Sequence, residues 1–195
     1  MARHTIAILV GSLRKDSINR KVARSICAME KDRLDCTLVE IGDLPLYNQD
    51  YDGSPDEPAS YAGFRKEIAA ADGILFVSPE YNRGLPGVLK NAIDIGSRPY
   101  GSSVWNQKPA AIVTASPGGI GGFGANHQIR QSCVFLNMPV MQHPEAYLGR
   151  VGDDSFGADG LLAEGPLRDL VKSIAEAFAD WVKLIEDARG LIAAK

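Results

Sequence analysis

Two kinds of apolar spacing alternate along the chain. Thr5–Val10, Gly73–Ser78 and Ala110–Ala115 are short, almost unbroken apolar runs, the pattern expected of strands buried on both faces. Between them the spacing lengthens. Ile18, Val22 and Ile26, with Cys27 beside them, recur at i, i+4 and i+8 and predict a helix starting after Ser17. Phe64, Ile68 and Ala71 mark one face of a second helix, residues 87–95 form a third, and Ala125, Ile129, Cys133 and Leu136 line a fourth. The last helix is the clearest, with Leu167, Leu170, Val171, Ile174, Phe178, Trp181, Val182 and Ile185 in one apolar stripe. Cys36–Ile41 reads as the second strand, broken by Asp43-Leu44-Pro45, and Pro139–Gln142 as a short fifth. Tyr47–Ser60 is acidic and rich in Pro, Gly and Ser, which predicts an irregular surface loop. Ser97–Lys108 is turn-rich, and residues 151–165 form a polar connection.

Strands alternating with helices predict an α/β fold, a parallel sheet covered on both faces. Right-handed crossovers then give a doubly wound five-stranded sheet in the order 2-1-3-4-5. No internal repeat interrupts the pattern, and 195 residues with 45% hydrophobic content suffice for one full core, so residues 1–195 are expected to form a single domain. Ligands of such sheets lie beyond the carboxyl ends of the strands, near the switch in strand order. Three polar loops follow strands one, three and four, so they are expected to converge there.

A net charge of -3 offers no general attraction to nucleic acid or an anionic membrane, and no apolar stretch approaches the ~20 residues that span a bilayer. Met1-Ala2-Arg3-His4 leads into the first strand with no leader-like apolar segment. Three widely separated cysteines suit a reducing cytoplasm better than a disulfide framework, and no Cys or His pair has structural-zinc spacing. No metal is expected.

The loops carry the chemistry. Gly11-Ser12-Leu13-Arg14-Lys15-Asp16-Ser17-Ile18-Asn19 offers hydroxyls, an amide, a cation and backbone N–H groups at a helix start, a combination that favours an anion. Ser17 also suits a plain helix cap. There is no G-x-x-x-x-G-K-[ST] and no G-x-G-x-x-G after strand one, so a single phosphate, as on FMN, fits better than a nucleoside triphosphate or a dinucleotide. Pro79-Glu80-Tyr81-Asn82 adds rigidity and an aromatic face suited to a flat ring. Glu80 has no partner carboxylate or histidine in the motif, so it is read as shaping the loop rather than as a catalytic acid. Ser116-Pro117-Gly118-Gly119-Ile120-Gly121-Gly122-Phe123-Gly124 permits positive φ and close backbone approach. Together the loops suggest a site for a phosphate-bearing flavin.

Other candidates carry less. His4, His127 and His143 read as solvated or packed, and Cys27 and Cys133 as inert thiols on apolar helix faces. Tyr100 and Trp105 suit a subunit interface, a pocket rim or simple partial burial. No Ser-His-Asp or Cys-His pairing follows from spacing, so hydrolysis has no support.

With those residues in view, the chain resembles the NADPH-dependent FMN reductase family of flavodoxin-like proteins, in its chromate and quinone reductase branch. The resemblance rests on Gly-Ser-Leu-Arg-Lys-x-Ser-x-Asn at 11–19, Pro-Glu-Tyr-Asn at 79–82 and Pro-Gly-x-Leu-Lys-Asn-Ala-Ile-Asp at 86–94, and spans about residues 5–150. It implies bound FMN with the phosphate on Ser12, Leu13, Arg14, Lys15, Asp16, Ser17, Ile18 and Asn19. It further implies that Pro79, Glu80, Tyr81 and Asn82 meet the flavin ring, with Ser116, Pro117, Gly118 and Gly119 at its far edge. A homodimer or homotetramer is implied as well. Gly84-Leu85 stands where relatives often carry a serine or larger polar residue followed by Val or Ile, which implies a wider or more mobile pocket beside the ring.

The activity expected is therefore transfer of a hydride from NADPH or NADH to the flavin, then of electrons to a quinone or to another small acceptor such as chromate. Catalysis depends on bringing atoms to roughly 3–3.5 Å rather than on an acid–base residue. Arg83, Arg98 and Arg130 are candidates for drawing an oxyanion. Two alternatives stand beside this reading: a reductase that hands free reduced FMN to a partner, and a flavodoxin-like electron carrier, which the mild net charge and Arg14 disfavour.

Overall fold

A computed structural model describes residues 3–193, so Met1 and Ala2 of the predicted lead-in lie outside the described residues. In chain order the elements are β1 (His4–Val10), α1 (Ile18–Met29), β2 (Leu34–Leu38), α2 (Ala59–Ala70), β3 (Gly73–Ser78) and α3 (Gly87–Gly96). They continue with β4 (Ala110–Ala115), α4 (Phe123–Phe135), β5 (Tyr147–Leu148) and α5 (Pro166–Ala193), and single 3₁₀ turns occur at Gln49–Tyr51 and Asp153–Ser155. The strands form one parallel sheet in the order β2-β1-β3-β4-β5, as the alternation of patterns predicts.

Every residue of β3 and β4 is buried, which explains their unbroken apolar runs. Successive residues point to opposite faces. Ile6, Ile8, Leu75, Val77 and Val113 meet α1 and α5 through Val22, Ile26, Ile174 and Phe178. Leu9, Ile74, Phe76 and Ile112 meet α2, α3 and α4 through Phe64, Ile68, Leu89 and Ile129. Burying each large apolar side chain contributes about 1.5–3 kcal/mol, so these two layers dominate stability.

The differences from the sequence reading lie at the margins. β2 starts at Leu34 and ends at Leu38, with Asp35 and Thr37 exposed; only Val39 continues the ladder, donating its N–H to the Ile8 carbonyl at 2.9 Å. The fifth strand is not Pro139–Gln142, where Val140 makes only an isolated bridge to Ala110. Pro139 accepts a hydrogen bond from Ala110 N–H but has no N–H to give back. The fifth strand is instead Tyr147–Leu148, opposite Thr114 and Ala115. The 47–60 loop holds one 3₁₀ turn and is anchored where Tyr47 N–H donates to Asn91 Oδ1 at 2.8 Å. In α5, Leu170 is exposed and Ile185 is half-buried, while Leu167, Val171, Ile174, Phe178, Trp181 and Val182 pack on the core.

Trp105 lines no interface or rim. It is fully buried between Phe64 and Phe76, at ring-centroid distances of 6.1 and 6.0 Å, and its Nε1–H donates to the Ile93 carbonyl. The indole fills space left by Gly96, where a Cβ would lie 2.5–2.6 Å from its ring atoms. Among the described residues no helix is long and apolar enough to cross a membrane.

Burial pushes the Cys133 thiol up to about 12, and the side-chain hydrogen bond with Cys36, helped by burial, raises that of half-buried Cys27. For Cys133 the folded state keeps its proton while the unfolded chain loses it above about pH 9, so its stabilising contribution declines from pH 9 towards 12. Native protein at pH 8–9 should therefore leave Cys133 unalkylated by iodoacetamide until unfolded, as peptide mass spectrometry would report. Gly96→Ala should cost roughly 1–3 kcal/mol by overpacking against the indole. A lower urea midpoint at unchanged m-value would confirm this, and an unshifted midpoint would show that the ring can yield.

Candidate functional site

All three polar loops leave the sheet at its carboxyl edge because β1, β3 and β4 run parallel. In the first, Ser12, Ser17 and Asn19 are buried although the intervening Leu13 to Asp16 are exposed. Ser17 caps α1, its Oγ accepting the Arg20 N–H at 3.3 Å, so the plain capping role is present. Asn19 ties α1 to the end of β4, donating from Nδ2 to the Ala115 carbonyl at 3.2 Å, while its buried Oδ1 has no partner. The backbone N–H groups of residues 12–17 find no acceptor among the described residues. A cluster of unpaired donors at a helix start, with a cation at its rim, fits a phosphate.

The second loop is a tight hairpin. Tyr81 and Gly84 exchange backbone hydrogen bonds of 3.0 and 2.9 Å, and both residues between them are left-handed, Asn82 at φ 51° and Arg83 at 66°. Two positive φ values in a two-residue loop are the signature of a type I′ turn. It presents Tyr81, 48% exposed, at its tip. Gly84 does not open the pocket as its resemblance-based reading implied. The space where a side chain would stand is taken by Gln128, whose Oε1 lies 3.0 Å from the position a Cβ would occupy and accepts the Leu85 N–H.

In the third loop, Gly121 and Gly122 adopt φ of 67° and 78°, and a Cβ on Gly121 would lie 2.6 Å from the Tyr147 backbone. Gly118 N–H donates to Ser116 Oγ at 3.1 Å. Ser116 also extends the β4–β5 pairing: its N–H donates to the Leu148 carbonyl and its carbonyl accepts from Val151 N–H. This extension carries Val151, Gly152 and Asp153 into the site, a wall the sequence reading assigned to a polar connection.

Together the loops enclose a cavity of about 210 Å³. The first loop contributes Ser12, Arg14, Ser17, Ile18 and Asn19, the second Pro79, Glu80 and Tyr81, and the third Ser116 and Pro117. Leu13, Lys15, Asp16, Asn82, Gly118 and Gly119 belong to the same loops but do not line it; Leu13 packs over Gly42 instead. Arg83 stands close by, ion-paired to Glu80 at 3.3 Å. Arg98 and Arg130 are elsewhere. Arg98 lies over the Tyr47 ring, and Arg130 is held by Asn126 Oδ1 and the Met141 carbonyl. His127 is exposed and stacks on Phe123 and Tyr147. A larger groove of about 650 Å³ runs between α3 and α4 and shares no lining residue with this cavity.

The family model for NADPH-dependent FMN reductases matches residues 4–153. The chain belongs to that family. Among its relatives, a quinone reductase of Pseudomonas putida is 54% identical over 181 residues, covering 93% of this chain and 96% of its own. A 2-hydroxy-1,4-benzoquinone reductase of Burkholderia is 42% identical over 178 residues, covering 91% and 96%. A solved structure of FerB, a flavoenzyme NAD(P)H:(acceptor) oxidoreductase from Paracoccus denitrificans, superposes with a TM-score of 0.87 at 38% identity, covering 92% of this chain and 97% of that one.

Gly121→Ala should destabilise the third loop by roughly 1–3 kcal/mol, since it combines a left-handed backbone with a backbone clash. Gly119→Ala, whose added methyl would come no nearer than 3.9 Å to Arg150 Nε, should stay within about 0.5 kcal/mol of the parent. Thermal unfolding of the two variants side by side checks both.

Proposed function

We propose that the cavity at the carboxyl edge holds FMN. In this reading Ser12, Arg14, Ser17 and Asn19, with the free N–H groups of the first loop, take the phosphate. Pro79, Glu80 and Tyr81 meet the ring, and Ser116 and Pro117 close its far edge. The observation that carries the assignment is the run of unpaired backbone N–H groups over residues 12–17, beside an orphaned Asn19 Oδ1 that suits a hydroxyl donor. The cavity's ~210 Å³ falls below the ~300–1,000 Å³ usual for whole small-molecule ligands. It suits a phosphate and polyol tail, leaving the ring towards the open side, where donor and acceptor can reach it.

The protein is an NAD(P)H-dependent flavin oxidoreductase. FMN held in the cavity would supply the hydride- and electron-transfer chemistry between NAD(P)H and a small acceptor. The chain's own groups orient and hold. The hydroxyls and N–H groups fix the phosphate, and Tyr81 offers a flat face at the rim. Glu80 is committed to hydrogen bonds and serves no proton transfer. Quinones are the acceptors favoured by the relatives, since two of them are quinone reductases. Chromate is a further candidate, drawn by Arg83, which pairs with the cavity-lining Glu80, whereas Arg98 and Arg130 do not line the cavity.

The reading extends to a cytoplasmic homodimer or homotetramer built on a single flavodoxin-like domain over residues 1–195. The α3–α4 groove supports association. Phe135 lines it, and Val134 and Tyr100, also exposed, lie nearby.

The visible spectrum of protein reconstituted with FMN, followed by anaerobic NADPH, tests the assignment. Retained yellow colour that bleaches with NADPH and returns with menadione is expected. Colourless protein would remove the FMN site, and colour persisting in excess NADPH would remove the hydride step. Direct turnover of menadione without an added partner separates this reading from an electron carrier. Retention of flavin through gel filtration separates it from a supplier of free reduced FMN. Arg14→Ala should weaken FMN binding by no more than about fivefold, as suits an exposed charge, and that difference should shrink at high salt.

A further inference from the structure

Two walls of the cavity are joined by one carboxylate. Glu80 belongs to the second loop, yet its side chain is only 9% exposed and reaches into the first turn of α4. Its Oε2 accepts the Ala125 backbone N–H at 3.0 Å, and its Oε1 accepts from Arg83 Nη1 at 3.3 Å. Helix α4 has no cap of its own. Its N-cap, Gly122, is left-handed and without a side chain. A carboxylate from a loop 45 residues away therefore satisfies a donor that the local sequence leaves open, at the positive end of the helix.

The fit around this contact is close. A Cβ on Gly124 would lie 2.6 Å from the Arg83 carbonyl and 2.9 Å from Glu80 Oε2, so glycine there lets the loop and helix touch. A second tie runs the other way, from Leu85 N–H to Gln128 Oε1 at 3.0 Å. The turn between the two ties contains Arg83 at φ 66°, a conformation an arginine rarely adopts unless it is held.

We infer that Glu80 is a positioning residue, a latch that sets the separation between the Tyr81 hairpin and the glycine loop leading into α4. This rests on the FMN reading of the cavity, because the separation is the width of the slot offered to the flavin. The reach of the side chain to Ala125, rather than its charge, is the property used. A glutamine keeps an oxygen at the same distance. An aspartate keeps the charge but is one methylene too short.

The test compares Glu80→Gln, Glu80→Asp, Glu80→Ala and Arg83→Gly in two measurements. Hydrogen exchange on the flavin-free proteins reads the latch directly. The Ala125 amide should stay protected in the parent, in Glu80→Gln and in Arg83→Gly, and exchange faster in Glu80→Ala and Glu80→Asp. FMN titration should then find Glu80→Gln and Arg83→Gly within about threefold of the parent. Glu80→Ala and Glu80→Asp should bind at least about tenfold more weakly, the loss expected when a part-buried backbone donor, the Ala125 N–H, is left without its acceptor. Glu80→Asp binding like the parent while Glu80→Gln does not would overturn the latch in favour of a purely electrostatic role. Equal affinity across all four variants would overturn it outright, as would a loss in Arg83→Gly as large as in Glu80→Ala. Failure of the parent itself to bind FMN would instead remove the reading beneath it, while the exchange result would still judge the latch.

Discussion

Burial of the central strands on both faces is the constraint from which the rest follows. β1, β3 and β4 sit between two helical layers, and the interior they form has almost no room for unpaired polar atoms. The polar side chains it contains are bonded in place: Ser78 to the Pro79 carbonyl, Thr114 to the Ala146 carbonyl and Asn126 to the Ile112 carbonyl. Groups that must meet a ligand are thereby displaced to the ends of the strands. Because the strands are parallel, one end collects the loops after β1, β3 and β4.

That arrangement makes the site a product of fold geometry more than of any one motif. The first loop contributes donors with no partner of their own, the second a strained hairpin with an aromatic tip, and the third glycines that let two backbones pass within contact distance. None of these carries reactive chemistry. Donors, a flat rim and an open side are what the proposed coenzyme site would use, since an oxidoreductase of this kind borrows its chemistry from the coenzyme.

Much of this was legible before any coordinates. Residues 73–78 and 110–115 could only be central strands, because they lack the alternation of a half-exposed one, and the strand order and loop convergence followed. The misplaced fifth strand shows where the pattern stops carrying information. Tyr147–Leu148 is two residues long and has no periodicity to read, while Pro139–Gln142 has the apolar character of a strand but pairs only at Ala110, in a single bridge. Trp105 lies in a turn-rich stretch whose composition suggests the surface, yet its burial is decided by Gly96, Phe64 and Phe76, all remote from it locally. Glu80 and Ala125 likewise meet only once the sheet exists. Val151–Asp153 were missed for the same reason: they reach the cavity through backbone pairing with Ser116, which side-chain chemistry does not announce.

The brevity of β5 has a consequence for how the molecule behaves in company. A sheet's outermost strand exposes a row of unsatisfied peptide groups that can recruit another chain into an aggregate. Here that margin offers only two residues before the backbone folds back onto Ser116 and Gly118 through Arg150 and Val151. The segment that denies a neighbour its foothold is the one that walls the cavity, so resistance to misassociation and enclosure of the cavity draw on the same few peptide groups.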